Sequence, residues 1–112
     1  MSTLTWEDFQ AVELRSGTII KVEDFPEARK PAYKITVDFG WEIWIKKSSA
    51  QVTDLYSKED LLDKQIVWVV NFPPMQIWPF MSEFLITGFI QKDNSVVLAV
   101  PDKTVENGMK LV

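Results

Sequence analysis

The sequence V-N-F-P-P-M-Q-I-W-P-F-M-S-E-F-L-I, residues 70–86, joins two predicted strands through an unusually apolar loop. Pro73 and Pro74 lack the amide hydrogen that a β-ladder needs, so they stiffen this connection. Loops normally run over the surface, yet this one carries six large apolar side chains: Phe72, Met75, Ile77, Trp78, Phe80 and Met81. Two interpretations stay open, a lid over the core and an exposed binding site or interface.

The composition is that of an ordinary soluble protein. With 112 residues, 46% of them hydrophobic and 25% charged, the chain fits one domain spanning residues 1–112. No stretch approaches the roughly 18 apolar residues of a membrane-spanning helix, and no signal-peptide core opens the chain. We therefore expect a cytoplasmic protein.

Missing residue types restrict the chemistry further. The chain has neither cysteine nor histidine, which removes the commonest general base, thiol nucleophiles and the usual zinc ligands. We therefore expect no catalytic residues, no metal and no cofactor. The net charge is −4, so any binding of nucleic acid has to depend on a local basic patch.

Hydrophobic patterning predicts an all-β fold. Short runs with period two recur along the chain, for example at residues 18–23, where Ile20 and Val22 share a face, and at 33–39. One capped helical turn, near residues 57–62, separates the third and fourth strands. A single helix in that position is typical of the OB-fold, a five-stranded partly open barrel, here with short helices.

Two segments carry more specific expectations. Thr5 caps a helix in which Trp6, Phe9 and Val12 recur at helical spacing, which predicts that one face packs on the barrel. A strand over residues 42–47 would direct Ile43 and Ile45 inward. Trp44 would then point outward with Lys46.

Several motifs together resemble the CsaA family of small tRNA-binding-domain proteins over almost the whole chain. They are Leu14-Arg15-Ser16-Gly17-Thr18-Ile19, Phe25-Pro26-Glu27-Ala28-Arg29-Lys30-Pro31-Ala32, Val37-Asp38-Phe39-Gly40, Ile45-Lys46-Lys47-Ser48-Ser49-Ala50-Gln51, Val70-Asn71-Phe72-Pro73-Pro74, Ser82-Glu83, Pro101-Asp102 and Asn107-Gly108. The resemblance implies an OB-fold homodimer that binds tRNA or single-stranded nucleic acid. It also implies a protein that is not an enzyme, and some family members are described as export-related chaperones. The apolar stretch Met109–Val112 fits a dimer interface.

The resemblance maps a nucleic-acid groove onto seven residues. Lys46, Ser48, Ser49 and Gln51 form one side, and Asn71, Ser82 and Glu83 form the other. Lysine suits a phosphate, while the hydroxyl and amide groups suit base edges or the 2′-hydroxyl. For Ser48, Ser49 and Asn71, turn and cap roles remain an equal alternative. Ser82 and Glu83 do not form a catalytic pair, because no base activates the serine.

The chain departs from the family pattern at five positions, Trp41, Trp44, Trp68, Met75 and Trp78. The family usually has small residues at 44, 68 and 78, a polar residue or proline at 41, and a basic residue at 75. We predict that these five side chains form one exposed aromatic patch, although Trp68 has the alternative of a core position. The patch is either a base-stacking platform or a groove rebuilt by divergence or design. A rebuilt groove would bind a protein partner, a second copy or a small apolar ligand.

Overall fold

The structure, a computed structural model, describes residues 1–77 and 79–112. Trp78 lies outside the described residues. The helices are α1 (Trp6–Ala11) and α2 (Lys58–Leu61), and the strands are β1 (Leu14–Asp24), β2 (Tyr33–Asp38), β3 (Ile45–Ala50), β4 (Gln65–Val69), β5 (Met75–Ile77), β6 (Phe80–Ser82), β7 (Leu85–Ile86), β8 (Gly88–Ile90) and β9 (Val96–Leu98).

The main sheet is antiparallel, with strand order β3-β2-β1-β4-β7. Its edge strands β3 and β7 approach each other, so the sheet curls into a nearly closed five-stranded barrel with few short helices. This confirms the predicted OB-type fold. The register between β1 and β2 shifts between Ile19 and Lys21. As a result Ile19 is buried and Ile20 faces outward, so the expectation that Ile20 shares the inward face of Val22 is wrong.

The barrel core is built on large side chains from every strand of the main sheet except β3 and β7, which contribute smaller contacts. Its largest fully buried apolar side chains are Ile19, Ile35, Val37, Phe39, Ile66 and Trp68 together with Leu61 of α2, and Phe84 and Leu98 also belong to the core. Gly17 is required at its position, because an added Cβ would lie 2.6 Å from Val37 Cγ1 and 2.7 Å from the Phe39 ring. The glycine lets β1 approach the core this closely.

The apolar segment after β4 folds as a hairpin, β5–β6, that stands outside the main sheet. Hydrogen bonds join the end of this hairpin to Lys47 of β3: the Glu83 amide donates to the Lys47 carbonyl at 2.9 Å, and the Lys47 amide donates to the Glu83 carboxylate at 2.8 Å. On the other side, the ring of Phe80 meets that of Phe25 edge-on at 5.5 Å. The hairpin therefore has a defined position over the barrel.

Residues 106–111 close the barrel along β1. The Gly108 amide donates to the Ser16 carbonyl at 2.8 Å, and the Leu111 amide donates to the Leu14 carbonyl at 2.8 Å. Ser16, which is buried, donates its hydroxyl to the Glu106 carbonyl at 2.8 Å. This seam joins segments that are more than 90 positions apart in the sequence.

The prediction that the first helix packs an apolar face on the barrel is wrong. None of its residues is buried, Trp6 is 66% exposed, and its ring contacts that of Phe9 at 5.9 Å. A capping box between Thr5 and Asp8 stabilises the helix locally. Hydrogen bonds to the backbone of Gln10 and Ala11 then attach its end to the body, so the periodic apolar residues stay on the surface.

The strand expected over residues 42–47 begins only at Ile45, because a turn occupies residues 39–44. The Trp44 amide donates to the Gly40 carbonyl at 2.7 Å, and Trp44 has a φ of +73°. Ile43 is half-buried but Ile45 is 57% exposed, so the prediction that both isoleucines enter the core is wrong for Ile45. Trp44 does point outward, at the roughly 1–2 kcal/mol that a left-handed conformation costs a residue with a Cβ.

Candidate nucleic-acid interface

A groove of about 850 Å³ opens between the end of β3 and the β5–β6 hairpin, with β7, β8 and β9 forming its floor. Four of the seven predicted groove residues line it: Ser48, Ser49, Gln51 and Ser82. Its other lining residues are apolar or uncharged, and none of the lining residues carries a charge. The groove is therefore suited to apolar groups, while phosphates require the lysines beside it.

Ser48 and Ser82 form a polar joint between the barrel and the hairpin. The Ser48 hydroxyl is buried, donates to the Phe84 carbonyl at 2.7 Å and lies 2.7 Å from the Ser82 hydroxyl. The Ser49 amide donates weakly to the Ser82 oxygen, at 3.4 Å. The hydroxyls of Ser48 and Ser82 therefore have hydrogen-bond partners within the protein, which favours a structural role for Ser48.

Asn71 and Glu83 are also bonded to backbone. The Asn71 side chain accepts from the Glu13 amide at 3.0 Å and donates to the Ala11 carbonyl at 2.7 Å, so it attaches the first helix to the end of β4. One carboxylate oxygen of Glu83 accepts from the Lys47 amide. Both side chains thus hold the frame around the groove.

The outer face of β2 and β3 supplies the cations. Strand pairing sets Lys34 opposite Ser49 and Thr36 opposite Lys47, so these side chains share one face. Lys46 pairs with the core residue Val37 and so lies on the opposite face, with buried Ser48, which contradicts the prediction that it points outward with Trp44. Lys34, Lys46 and Lys47 have no carboxylate partner within the described residues. The Lys34 ammonium instead lies 5.4 Å from the Phe25 ring centre and 5.9 Å from that of Phe80.

Lys34 was not among the predicted site residues. The alternation in residues 33–39 does place it on the outward face of its strand, but its position beside Ser49 depends on strand register. The loop over residues 25–32 adds exposed Arg29 and Lys30. OB-folds bind oligonucleotides on the face of strands 2 and 3, between the loops that follow strands 1 and 4. Here those loops are residues 25–32 and the β5–β6 segment.

The five-member aromatic patch does not form as predicted. Trp68 is fully buried, its indole N–H donates to the Gly17 carbonyl at 3.0 Å, and its ring meets those of Phe39 and Phe84 edge-on. Including Trp68 in an exposed patch was therefore wrong, because it shares the core-facing side of β4 with Ile66. Met75 is 64% exposed and lines the groove.

The two remaining described members lie on the turn before β3. Trp41 is 84% exposed and Trp44 is 71% exposed, and neither lines the groove. They therefore lie apart from the groove. The prediction for Trp78 falls outside the described residues.

The Glu13 carboxylate, which does not line the groove, is held between two cations. Glu13 accepts from Lys110 at 2.8 Å and from Arg15 at 2.7 Å, and these hydrogen bonds lower the pKa of its carboxyl below the usual value. Residues 1–77 and 79–112 contain no cluster of three or more acidic side chains suited to a metal ion. In the same part of the chain, no helix has the length and apolar character needed to cross a bilayer.

Comparison with known proteins agrees with this geometry. Residues 14–110 match the protein family described as "Putative tRNA binding domain". The solved structure of the CsaA chaperone protein from Picrophilus torridus is 47% identical, with a TM-score of 0.92 over 98% of this chain and 100% of that one. The chaperone CsaA from Bacillus anthracis is 44% identical, with a TM-score of 0.93 over 99% of this chain and 100% of that one.

Curated relatives include much longer proteins. A methionine–tRNA ligase from Thermococcus onnurineus is 34% identical over 106 residues, which is 95% of this chain and 14% of that enzyme. A ligase from Pyrococcus horikoshii is 34% identical over 111 residues, 99% of this chain and 15% of the enzyme. The chain thus spans about one seventh of the length of these relatives.

Proposed function

This chain belongs to the tRNA-binding domain family and is of the CsaA type, and we propose that it binds tRNA or single-stranded nucleic acid without catalysing a reaction. One observation carries the proposal: on an acidic protein, Lys34 and Lys47 share the strand face that OB-folds use for oligonucleotides. Arg29 and Lys30 extend that face along the neighbouring loop. Phosphates neutralised there would release counterions, which predicts binding that weakens steeply with salt.

The remaining groove residues divide into contact and frame roles. We assign phosphate contact to Lys46 along with Lys47, and base-edge or 2′-hydroxyl contact to Ser49 and Gln51, since these two line the groove. Ser48, Ser82, Asn71 and Glu83 act through position, because their described hydrogen bonds are to the protein itself. RNA thus follows the strand face, and the groove, whose lining carries no charge, receives bases.

The experiment is a titration of labelled tRNA at two salt concentrations, read by fluorescence anisotropy. Lys34→Ala and Lys47→Ala should each weaken binding at low salt and reduce the salt slope by about 0.7–0.9. Lys92→Ala is the matched control, because Lys92 is exposed and lies on the β8–β9 turn. If Lys92→Ala weakens binding as much as the other two, the strand face is not the site. If the parent binds no tRNA, the proposed function fails.

A chaperone activity is a second candidate function, favoured by the groove. The two CsaA structures are described as chaperones, and this groove offers apolar walls, with Phe72, Met75 and Leu85 each about half exposed or more. Exposed apolar surface of this kind is typical of interaction sites. The parent should suppress the aggregation of an unfolded protein, measured by light scattering, and Leu85→Asp should lose that suppression because it adds a charge to the apolar wall.

We also propose a homodimer that acts in the cytoplasm, where tRNA is found. Met109, Leu111 and Val112 are exposed apolar residues near the first helix, which Lys110 bonds through the Gln10 carbonyl at 3.0 Å. A standard interface would bury on the order of 1,600 Å² in total. Sedimentation at micromolar concentration should give the mass of two chains, and a mass of one chain would refute the dimer.

A further inference from the structure

Trp41 and Trp44 project from a turn whose backbone is firmly held. The Gly40 amide donates to the Asp38 carboxylate at 2.8 Å, and the Phe39 amide donates to the Trp44 carbonyl at 3.0 Å. The turn therefore presents two largely exposed indoles from a fixed base at the start of β3. A rigid base means that little conformational entropy is lost when a partner stacks on them.

Nothing in the fold requires a tryptophan at position 44. The left-handed conformation there favours glycine, and the exposed indole gains little packing in return. The residue thus carries a backbone cost and a solvation cost together. Backbone outliers of this kind concentrate at functional sites, so the indole points to a bound partner.

The surrounding charges indicate which partner. Lys46 and Lys47 follow on β3, on opposite faces of the strand and roughly 7–10 Å along an extended chain from Trp44. Two carboxylates lie at this turn, Glu42 and Asp38, and the latter accepts the Gly40 amide hydrogen, so a phosphate has to meet the lysines of β3 rather than the turn itself. Aromatic side chains beside cations are the pattern by which proteins bind single strands, since each base offers a face for stacking and each phosphate a charge.

We propose that Trp41 and Trp44 form a stacking site for unpaired bases of RNA whose phosphates contact Lys46 and Lys47. The inference rests on the proposed function and deepens it, because it makes the strand face selective for unpaired over paired nucleotides. Bases inside a duplex are already stacked and cannot reach the indoles without being flipped out. Duplex RNA would therefore meet the lysines alone.

The test compares a short single-stranded oligoadenylate with a blunt duplex of the same length. Trp44→Gly should weaken binding of the single strand about tenfold, while binding of the duplex stays within about twofold. Trp41→Ala should act in the same direction, and Trp44→Phe should recover part of the affinity. Trp6→Ala is the matched control, because Trp6 is similarly exposed but lies on the first helix.

Each other outcome decides against the stacking site. If the parent binds tRNA and Trp44→Gly binds the single strand equally well, the inference falls and the proposed function stands. Equal losses for single strand and duplex would show that the turn acts only by positioning the lysines. If Trp44→Gly loses binding to anionic lipid vesicles but not to RNA, the pair contacts a bilayer. A parent that binds no RNA overturns both proposals.

Discussion

Replacing Trp68 with alanine should cost about 4 kcal/mol of unfolding free energy. The side chain is fully buried, and truncating a buried tryptophan typically costs about 3–5 kcal/mol. The change also removes the indole N–H that donates to the Gly17 carbonyl and the edge-on contacts with Phe39 and Phe84. For 112 residues the unfolding entropy is about 0.24 kcal/mol/K, so the melting temperature should fall by roughly 17 °C.

Differential scanning calorimetry measures this shift directly. Parent and variants have to be compared at one protein concentration, because association would make the melting temperature depend on concentration. Trp6→Ala, at an exposed position, should change the melting temperature by no more than about 2 °C. A Trp68→Ala variant that melts within about 3 °C of the parent would show that the indole does not support the core. The assignment of Trp68 to the core, in contrast to the exposed tryptophans, would then be wrong.

Three further predictions concern the groove and its frame. Met75→Arg adds a cation to the groove rim, so tRNA binding should tighten most at low salt and the salt slope should rise by about 0.7–0.9; equal affinities at every salt concentration would place Met75 off the RNA path. Ser48→Ala should lower the free energy of unfolding by about 1–2 kcal/mol, measured by urea denaturation, whereas Ser49→Ala should weaken tRNA binding with little loss of stability; the reverse result would exchange their roles. Because hydrogen bonds lower the pKa of Glu13 from 4.5, its contribution to stability is present above that pH and is lost as pH falls through the lower folded-state value. Glu13→Gln should therefore show a flatter loss of stability below about pH 4.5, and parallel curves for parent and variant would contradict this.

The strand pattern was sufficient to predict the barrel, but not the register within it. Period-two alternation and one helix between the third and fourth strands led to the correct fold. The same alternation misplaced Ile20 and Ile45, since an irregularity in β1 and a left-handed turn before β3 reverse which side chain faces inward. Such irregularities depend on pairing with a neighbouring strand, which local periodicity does not contain.

The sequence predicted residue types around the candidate site better than it predicted which residues have binding roles and which have structural roles. Four of the seven residues predicted from motifs line the groove, but the structure was needed to show which of the seven hydrogen-bond to the backbone. Asn71, for example, serves a helix 60 positions earlier in the chain. Lys34 joins the site through the residue opposite it on β3. Trp68 does not belong to the patch because it points into the core beside Ile66.

The seam between residues 106–111 and the start of β1 has a consequence for how fast the protein folds. Those contacts close a loop of more than 90 residues. The conformational entropy of that loop is lost before the contacts form and stabilise the chain. β1 also pairs with β4, which is distant in the sequence. These non-local contacts give a high contact order, which predicts folding in milliseconds to seconds rather than microseconds. Linking the two ends of the chain and opening it instead in the exposed turn near Lys92 would make the seam local. Such a circular permutant should refold faster while keeping the same barrel.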